Sequence, residues 1–184
     1  MSIQPTNNES GRDENLRHLV AELGDRNGMV RRHAREALEQ VGRATTPYLI
    51  EKLQSPIADV RWEATKALGH IADPKAAPAL VGMLMDQSFE IQWLAAEALI
   101  ALGRAAVRPL LEGLVHNYGS VYLRQGAHHV LHDLERRHLL TPPTLLVLDD
   151  LRSMQSLEPY PVSARRALKD LPENTGNVSS EKLN

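Results

Sequence analysis

A nine-residue pattern recurs four times along this chain, and no other feature of the sequence constrains the fold as tightly. The copies are VRRHAREAL (residues 30–38), VRWEATKAL (60–68), IQWLAAEAL (91–99) and LRQGAHHVL (123–131). Their starts lie 30, 31 and 32 residues apart, within the range of repeats that build solenoids. The fifth position is always Ala (Ala34, Ala64, Ala95, Ala127) and the ninth always Leu (Leu38, Leu68, Leu99, Leu131). Positions one, five and nine share one stripe of an α-helix. The Ala lets helices of adjacent repeats approach closely, and the Leu fills the layer between them. One such unit cannot bury its apolar face alone, so the copies must stack.

Two further features keep the same period. Pro47, Pro78 and Pro109 recur at intervals of 31 residues, each just before an apolar pair: Leu49-Ile50, Leu80-Val81 and Leu110-Leu111. Pro costs little early in a helix, where the N–H groups have no intrahelical partner. Each first helix is expected to end near Leu53, Leu84 or Leu114. Gly42, Gly69 and Gly103 are expected at or near the ends of second helices. Leu16, Leu19, Val20 and Leu23 supply the first helix of the first unit. A degenerate fifth unit follows Thr141, a good N-cap before Pro142-Pro143. It carries Leu145, Leu146, Leu148 and Leu151, then Tyr160, Ala164, Ala167, Leu168 and Leu171. Terminal repeats are expected to be atypical. The expected organisation is a flexible arm (1–13), a repeat domain (14–171) and a disordered tail (172–184). The repeats fall at about 14–42, 43–72, 73–103, 104–135 and 141–171. The fold class is all-α, a right-handed solenoid of about five helical hairpins.

Hydrophobic residues make up 42% of the 184, yet only seven are aromatic, so the core must be mostly Ala, Leu, Val and Ile. A net charge of −2 gives no electrostatic footprint for nucleic acid. The absence of Cys excludes disulfides and Cys-ligated metal. No apolar run follows a basic start, and none approaches membrane-spanning length. A cytoplasmic protein with no membrane partner is the expectation.

The VRxxAxxAL pattern, the Pro-Leu pairs and the period near 31 resemble HEAT repeats, and more narrowly the HEAT-like repeats of the phycobilisome-lyase type. That resemblance implies an armadillo-like helical fold. It also implies an Asp six residues before the Arg of each second helix, bonding along the stack. Asp25 with Arg31 fits, whereas Ser55 with Arg61 and Asp86 with Gln92 fit in part, so an incomplete ladder is expected. Deoxyhypusine hydroxylase, a similar family, holds iron with His-Glu pairs; this chain has none. The HEAT-like alkylpurine DNA glycosylases have basic grooves, whereas here Arg32 and Lys66 alternate with Glu36, Glu63 and Glu97.

The resemblance implies that second helices line the concave face. Positions three, four and seven of the pattern should point outward there: Arg32, His33 and Glu36; Trp62, Glu63 and Lys66; Trp93, Leu94 and Glu97; Gln125, Gly126 and His129. Trp62 and Trp93 share a register in adjacent repeats and are expected side by side on that face. Packing between repeats as core is the plain alternative for both. His128 and His132 have the i, i+4 spacing of zinc-binding helices. No third ligand accompanies them, so no metal, cofactor or catalytic residue is assigned. The expected function is a non-catalytic scaffold that binds a protein or peptide on the concave face. The alternative is a bilin lyase-like subunit acting on a chromophore or its carrier protein. The sequence leaves the oligomeric state open.

Overall fold

The computed structural model describes residues 7–152 and 161–171, and these are all-α. Five helical hairpins stack into a solenoid. They are α1 (Asn7–Glu22) with α2 (Gly28–Val41), α3 (Thr46–Lys52) with α4 (Ala58–Ile71), and α5 (Ala77–Met83) with α6 (Phe89–Leu102). Then come α7 (Arg104–His116) with α8 (Val121–Arg136), and α9 (Pro142–Arg152) with α10 (Pro161–Asp170). The second helices α2, α4, α6 and α8 pack in a row. The repeated Ala and Leu columns are no more than 1% exposed, so the invariant stripe of the pattern is the seam of the stack.

Local chemistry sets most boundaries. The Asn27 side chain accepts the Met29 N–H at 3.0 Å and starts α2, and the Ser120 hydroxyl accepts the Leu123 N–H at 3.2 Å and starts α8. Gly42 (φ 77°) and Gly103 (φ 60°) end α2 and α6. Gly69 lies near the end of α4, as expected, but the cap itself is Ala72 in the left-handed region, φ 50°. A Cβ on Gly69 would meet the Ala98 Cβ at 3.1 Å. Its lack of a side chain therefore serves the approach of α4 to α6. Pro47 and Pro78 stand in the first turn of α3 and α5, each behind a short 3-10 turn. Pro109 lies inside α7, because there the preceding turn is itself helical and the helix begins at Arg104.

The helix α1 begins at Asn7, within the stretch read from composition as an arm. Asp13 ties that turn down, accepting from the Tyr48 hydroxyl at 2.7 Å and from Arg17 at 3.0 Å. Residues 1–6 of the expected arm, the expected tail 172–184, and Tyr160 lie outside the described residues.

The expected ladder differs too. Arg31 donates to the Asp25 carbonyl at 3.0 Å, Arg61 to the Ser55 carbonyl at 2.9 Å and Gln92 to the Asp86 carbonyl at 2.6 Å. The acceptor is backbone, so Ser55 serves as well as an Asp. Arg61 also holds both carboxylate oxygens of Asp86 in the next repeat, at 2.7 and 3.0 Å. Arg31 reaches Asp59 at 3.0 Å. The ladder that looks incomplete in sequence runs through the first three repeats.

The last hairpin leaves the pattern. Here α9 packs on α8, while α10 packs on α7. Arg108 of α7 donates to the Leu171 carbonyl at 2.8 Å, and Arg152 of α9 pairs with Glu135 of α8. Buried Ala164 and Ala167 supply the close face of α10. The row of second helices therefore ends at α8.

Candidate docking groove

Position three of the pattern faces outward along the row. Arg32 is exposed and bonds Glu36 on its own helix at 2.7 Å. That hydrogen bond raises the Arg32 pKa and lowers that of Glu36. Trp62 is partly buried against the core, with the Lys66 ammonium 4.6 Å above its ring. Trp93 is 50% exposed. Its ring lies 4.8 Å from that of His129 at a tilt of 31°, and His129 Nε2 is 3.2 Å from Glu97. The two Trp rings share a register but are not stacked together: each has a basic side chain against it, from its own helix for Trp62 and from the next repeat for Trp93.

Position four departs from expectation. His33 is exposed and Leu94 half-buried. Glu63, expected to face outward, is 6% exposed. Its carboxylate takes Arg35 Nε at 2.9 Å and lies 3.9 Å from Arg31. The physical reason is that position four sits in the seam between second helices, facing position six of the preceding repeat. A carboxylate there would be stranded without the buried guanidinium of Arg35.

The three seams are filled differently. The first holds Arg35 and Glu63, and in the second the same positions are Thr65 and Leu94. In the third they are Ala96 and Gly126, and a cleft of about 190 Å³ opens between α6 and α8. Leu84, Ala96 and Gly126 form its floor; Phe89, Trp93, Tyr122 and His129 stand around it. Phe89 is 71% and Tyr122 57% exposed. Beside Phe89, the Ser88 hydroxyl bonds Glu90 at 2.6 Å and lowers its pKa.

Phe89 and Tyr122 escape the sequence reading because they precede the nine-residue pattern by two and one positions. A signal was available: Phe89 and Trp93 stand i, i+4 on one helix, as neighbours on a face do. The His128 and His132 rings stack 6.0 Å apart at 17°. Burial, then the charges of His132 and Arg152, push the His128 pKa down. Among the described residues no three His, Cys, Asp or Glu groups converge as a metal site would require.

A family model for HEAT repeats matches residues 16–100 and 46–132. The matches cover more than half of the sequence, and the chain belongs to the HEAT-repeat family. Among solved structures it is similar to the CpcE–CpcF complex of phycocyanin lyase from Nostoc sp., with 22% identity over 85% of this chain and 97% of that one, TM-score 0.56. An engineered protein shows 19% identity over 83% of this chain and 77% of that one, TM-score 0.45. A designed armadillo repeat protein shows 18% identity over 88% and 84%, TM-score 0.43. At 22% identity the likeness to the lyase complex is one of fold. No curated protein sequence matches the chain. Among the described residues no helix is long and apolar enough to cross a membrane.

Proposed function

We propose that this chain is a non-catalytic scaffold that holds a protein or peptide on the face formed by its second helices, centred on Trp93. The observation that carries the reading is Trp93 itself, half exposed between Phe89 and Tyr122 above an apolar cleft. Exposed apolar patches of this kind mark interaction sites, and Trp is enriched among the residues that dominate binding energy. Glu97 and His129 flank it. Trp62 and Lys66 follow one repeat away, and Arg32, His33 and Glu36 two repeats away, along the row of second helices. Leu94 stands beside Trp93 in sequence, so the face carries polar groups of both signs around its apolar centre. An apolar centre with a polar rim is the usual anatomy of a protein interface. Glu63 supports this face from within the first seam.

Crosslinked capture from extract of the source organism, with wild-type and Trp93→Ala chains, tests the reading. A specific protein should be retained by the wild type and lost with the variant, while circular dichroism shows both equally helical. The competing reading, a bilin lyase-like subunit, is supported by the fold likeness to a phycocyanin lyase. A coloured covalent adduct formed on incubation with bilin and a carrier protein, and unaffected by Trp93→Ala, would replace the scaffold reading with it.

A further inference from the structure

Where the last hairpin leaves the pattern, the chain surrounds a cavity of about 350 Å³, within the roughly 300–1,000 Å³ of small-molecule sites. α10 packs on α7 as well as on its own partner α9, and its end comes down beside the first turns of α7. Arg108 fixes that approach. It donates to the Leu168 and Leu171 carbonyls at 3.4 and 2.8 Å, and carbonyls at a helix end have no intrahelical partner.

The facing wall is laid by the turn after α8. There His138 takes the left-handed region, φ 55°, which residues other than glycine seldom adopt. Its N–H reaches the Glu135 carbonyl at 2.8 Å, and the Leu139 N–H reaches the Leu134 carbonyl at 2.9 Å, a closure that turns the chain back at a helix end. Leu139 and Leu140 are thereby carried over the start of α7. A Leu139 methyl lies 3.7 Å from where a Cβ on Gly103 would stand.

The lining has two characters. Val107, Leu139, Leu140 and Leu171 make it apolar. The charged residues among its described lining are both arginines, Arg104 and Arg108, with no acid beside them. Arg108 is engaged by the α10 carbonyls and by Glu112, 3.6 Å away. Arg104 is exposed and pairs with no carboxylate among the described residues. The Thr141 and Thr144 hydroxyls lie 3.0 Å apart. One of them donates to the other, which leaves the second with a proton to donate.

An apolar wall with one unpaired guanidinium and a hydroxyl donor suits an apolar body with a single negative charge. A carboxylate matches it best. A guanidinium can hold both carboxylate oxygens at once, and one charge balances the other, whereas a phosphate monoester brings nearly two. We propose that this cavity binds a small molecule with an apolar body and one carboxylate, the body against Val107, Leu139 and Leu140 and the carboxylate on Arg104. The site shares no residue with the docking face, and neither reading depends on the other.

The test titrates the full chain by calorimetry with octanoate, octanol and octylamine, each below its micelle-forming concentration. Octanoate should bind saturably, and octanol and octylamine about tenfold or more weakly. Arg104→Gln should bring octanoate to the level of octanol, with octanol binding, helical dichroism and the urea midpoint unchanged. Leu140→Asn should weaken octanoate and octanol alike. No saturable octanoate binding to the wild-type chain overturns the site. Octanoate binding that survives Arg104→Gln also overturns it, because the ligand would then sit elsewhere on the molecule. Octylamine binding as tightly as octanoate would overturn the stated ligand chemistry.

Discussion

The first and third seams of this solenoid solve one packing problem in opposite ways. In the first, Arg35 and Glu63 meet with side chains 7% and 8% exposed. Arg35 also pairs with Glu39, which takes the His70 Nδ1 at 2.9 Å. The seam is closed by charge. In the third, small residues leave it open, with Gly126 so close to Leu84 that a Cβ would crowd it. On the first-helix side of the same junction a Cβ on Gly113 of α7 would lie 2.5 Å from a methyl of Val81 on α5. The difference shows what the repeat fixes and what it leaves free. Positions one, five and nine carry the stack, so they cannot vary far. Positions four and six only have to be mutually compatible. A charged pair gains attraction but gives up hydration, so its net contribution is small. Two small residues gain close packing and leave a surface cleft.

Breaking the charged seam on one side should have the largest effect. Arg35→Leu leaves the buried Glu63 carboxylate with only Arg31, 3.9 Å away, and should cost about 3 kcal/mol, measured by urea denaturation. Arg35→Leu/Glu63→Leu should cost under about 1 kcal/mol, because both desolvation penalties disappear together. A single variant as mild as the double would mean that the seam does not depend on the pair.

The close approach of α7 to α5, behind the third seam, is next. Gly113→Ala should cost about 2 kcal/mol by overpacking against Val81. Adding Val81→Ala should return part of that loss, so the double variant costs less than the sum of the singles. Additive costs would show that the two helices do not meet as closely as their side chains indicate.

The repeat, the hairpins and the buried columns are legible in the sequence because each is periodic, and stacking forces periodicity on whatever it buries. Ala64 and Leu68 need no structure to be placed in the core. The seam residues are not legible in this way. Glu63 reads as a surface carboxylate until Arg35, 28 residues away, is seen to lie beside it. The turn of α10 onto α7 is equally hidden, since Ala164 and Ala167 would suit either neighbour. Trp93 is legible as the centre of the candidate site, but Phe89 and Tyr122 lie outside the periodic motif. The cleft itself comes from side chains that are absent, and position-by-position reading registers residues rather than gaps.

The ladder beside the second seam offers an intermediate case that pH can probe. Burial works against the Asp86 carboxylate, but bonds from Arg61 and from the Ser88 N–H outweigh it and hold its pKa below the ordinary value. A carboxylate depressed in this way contributes its full stability above the unfolded range, near pH 4, and loses it as pH falls through the lower folded value. Asp86→Asn should therefore cost about 1–2 kcal/mol at neutral pH. Its stability should also fall less steeply on acidification than that of the wild type. Parallel acid limbs would show that the Arg61–Asp86 contact couples no proton to folding.

The smallest expected effect decides whether the third seam is an open site or merely loose core. Phe89 and Tyr122 are more than half exposed, and neither belongs to the buried cluster. Replacing either with Ser removes little that folding has taken out of water, so each change should stay within about 0.5 kcal/mol in urea denaturation. Leu84, 1% exposed in the floor of the same cleft, provides the contrast: Leu84→Ala should cost about 2–5 kcal/mol. Acrylamide should quench Trp93 in the Trp62→Phe chain, and removing Phe89 should raise the quenching rate with no change in helicity. If Phe89→Ser instead costs as much as Leu84→Ala, the aromatic rim holds α6 against α8. The third seam would then be sealed by its rings, as the first is sealed by its charges, and the contrast between a closed and an open junction would fail.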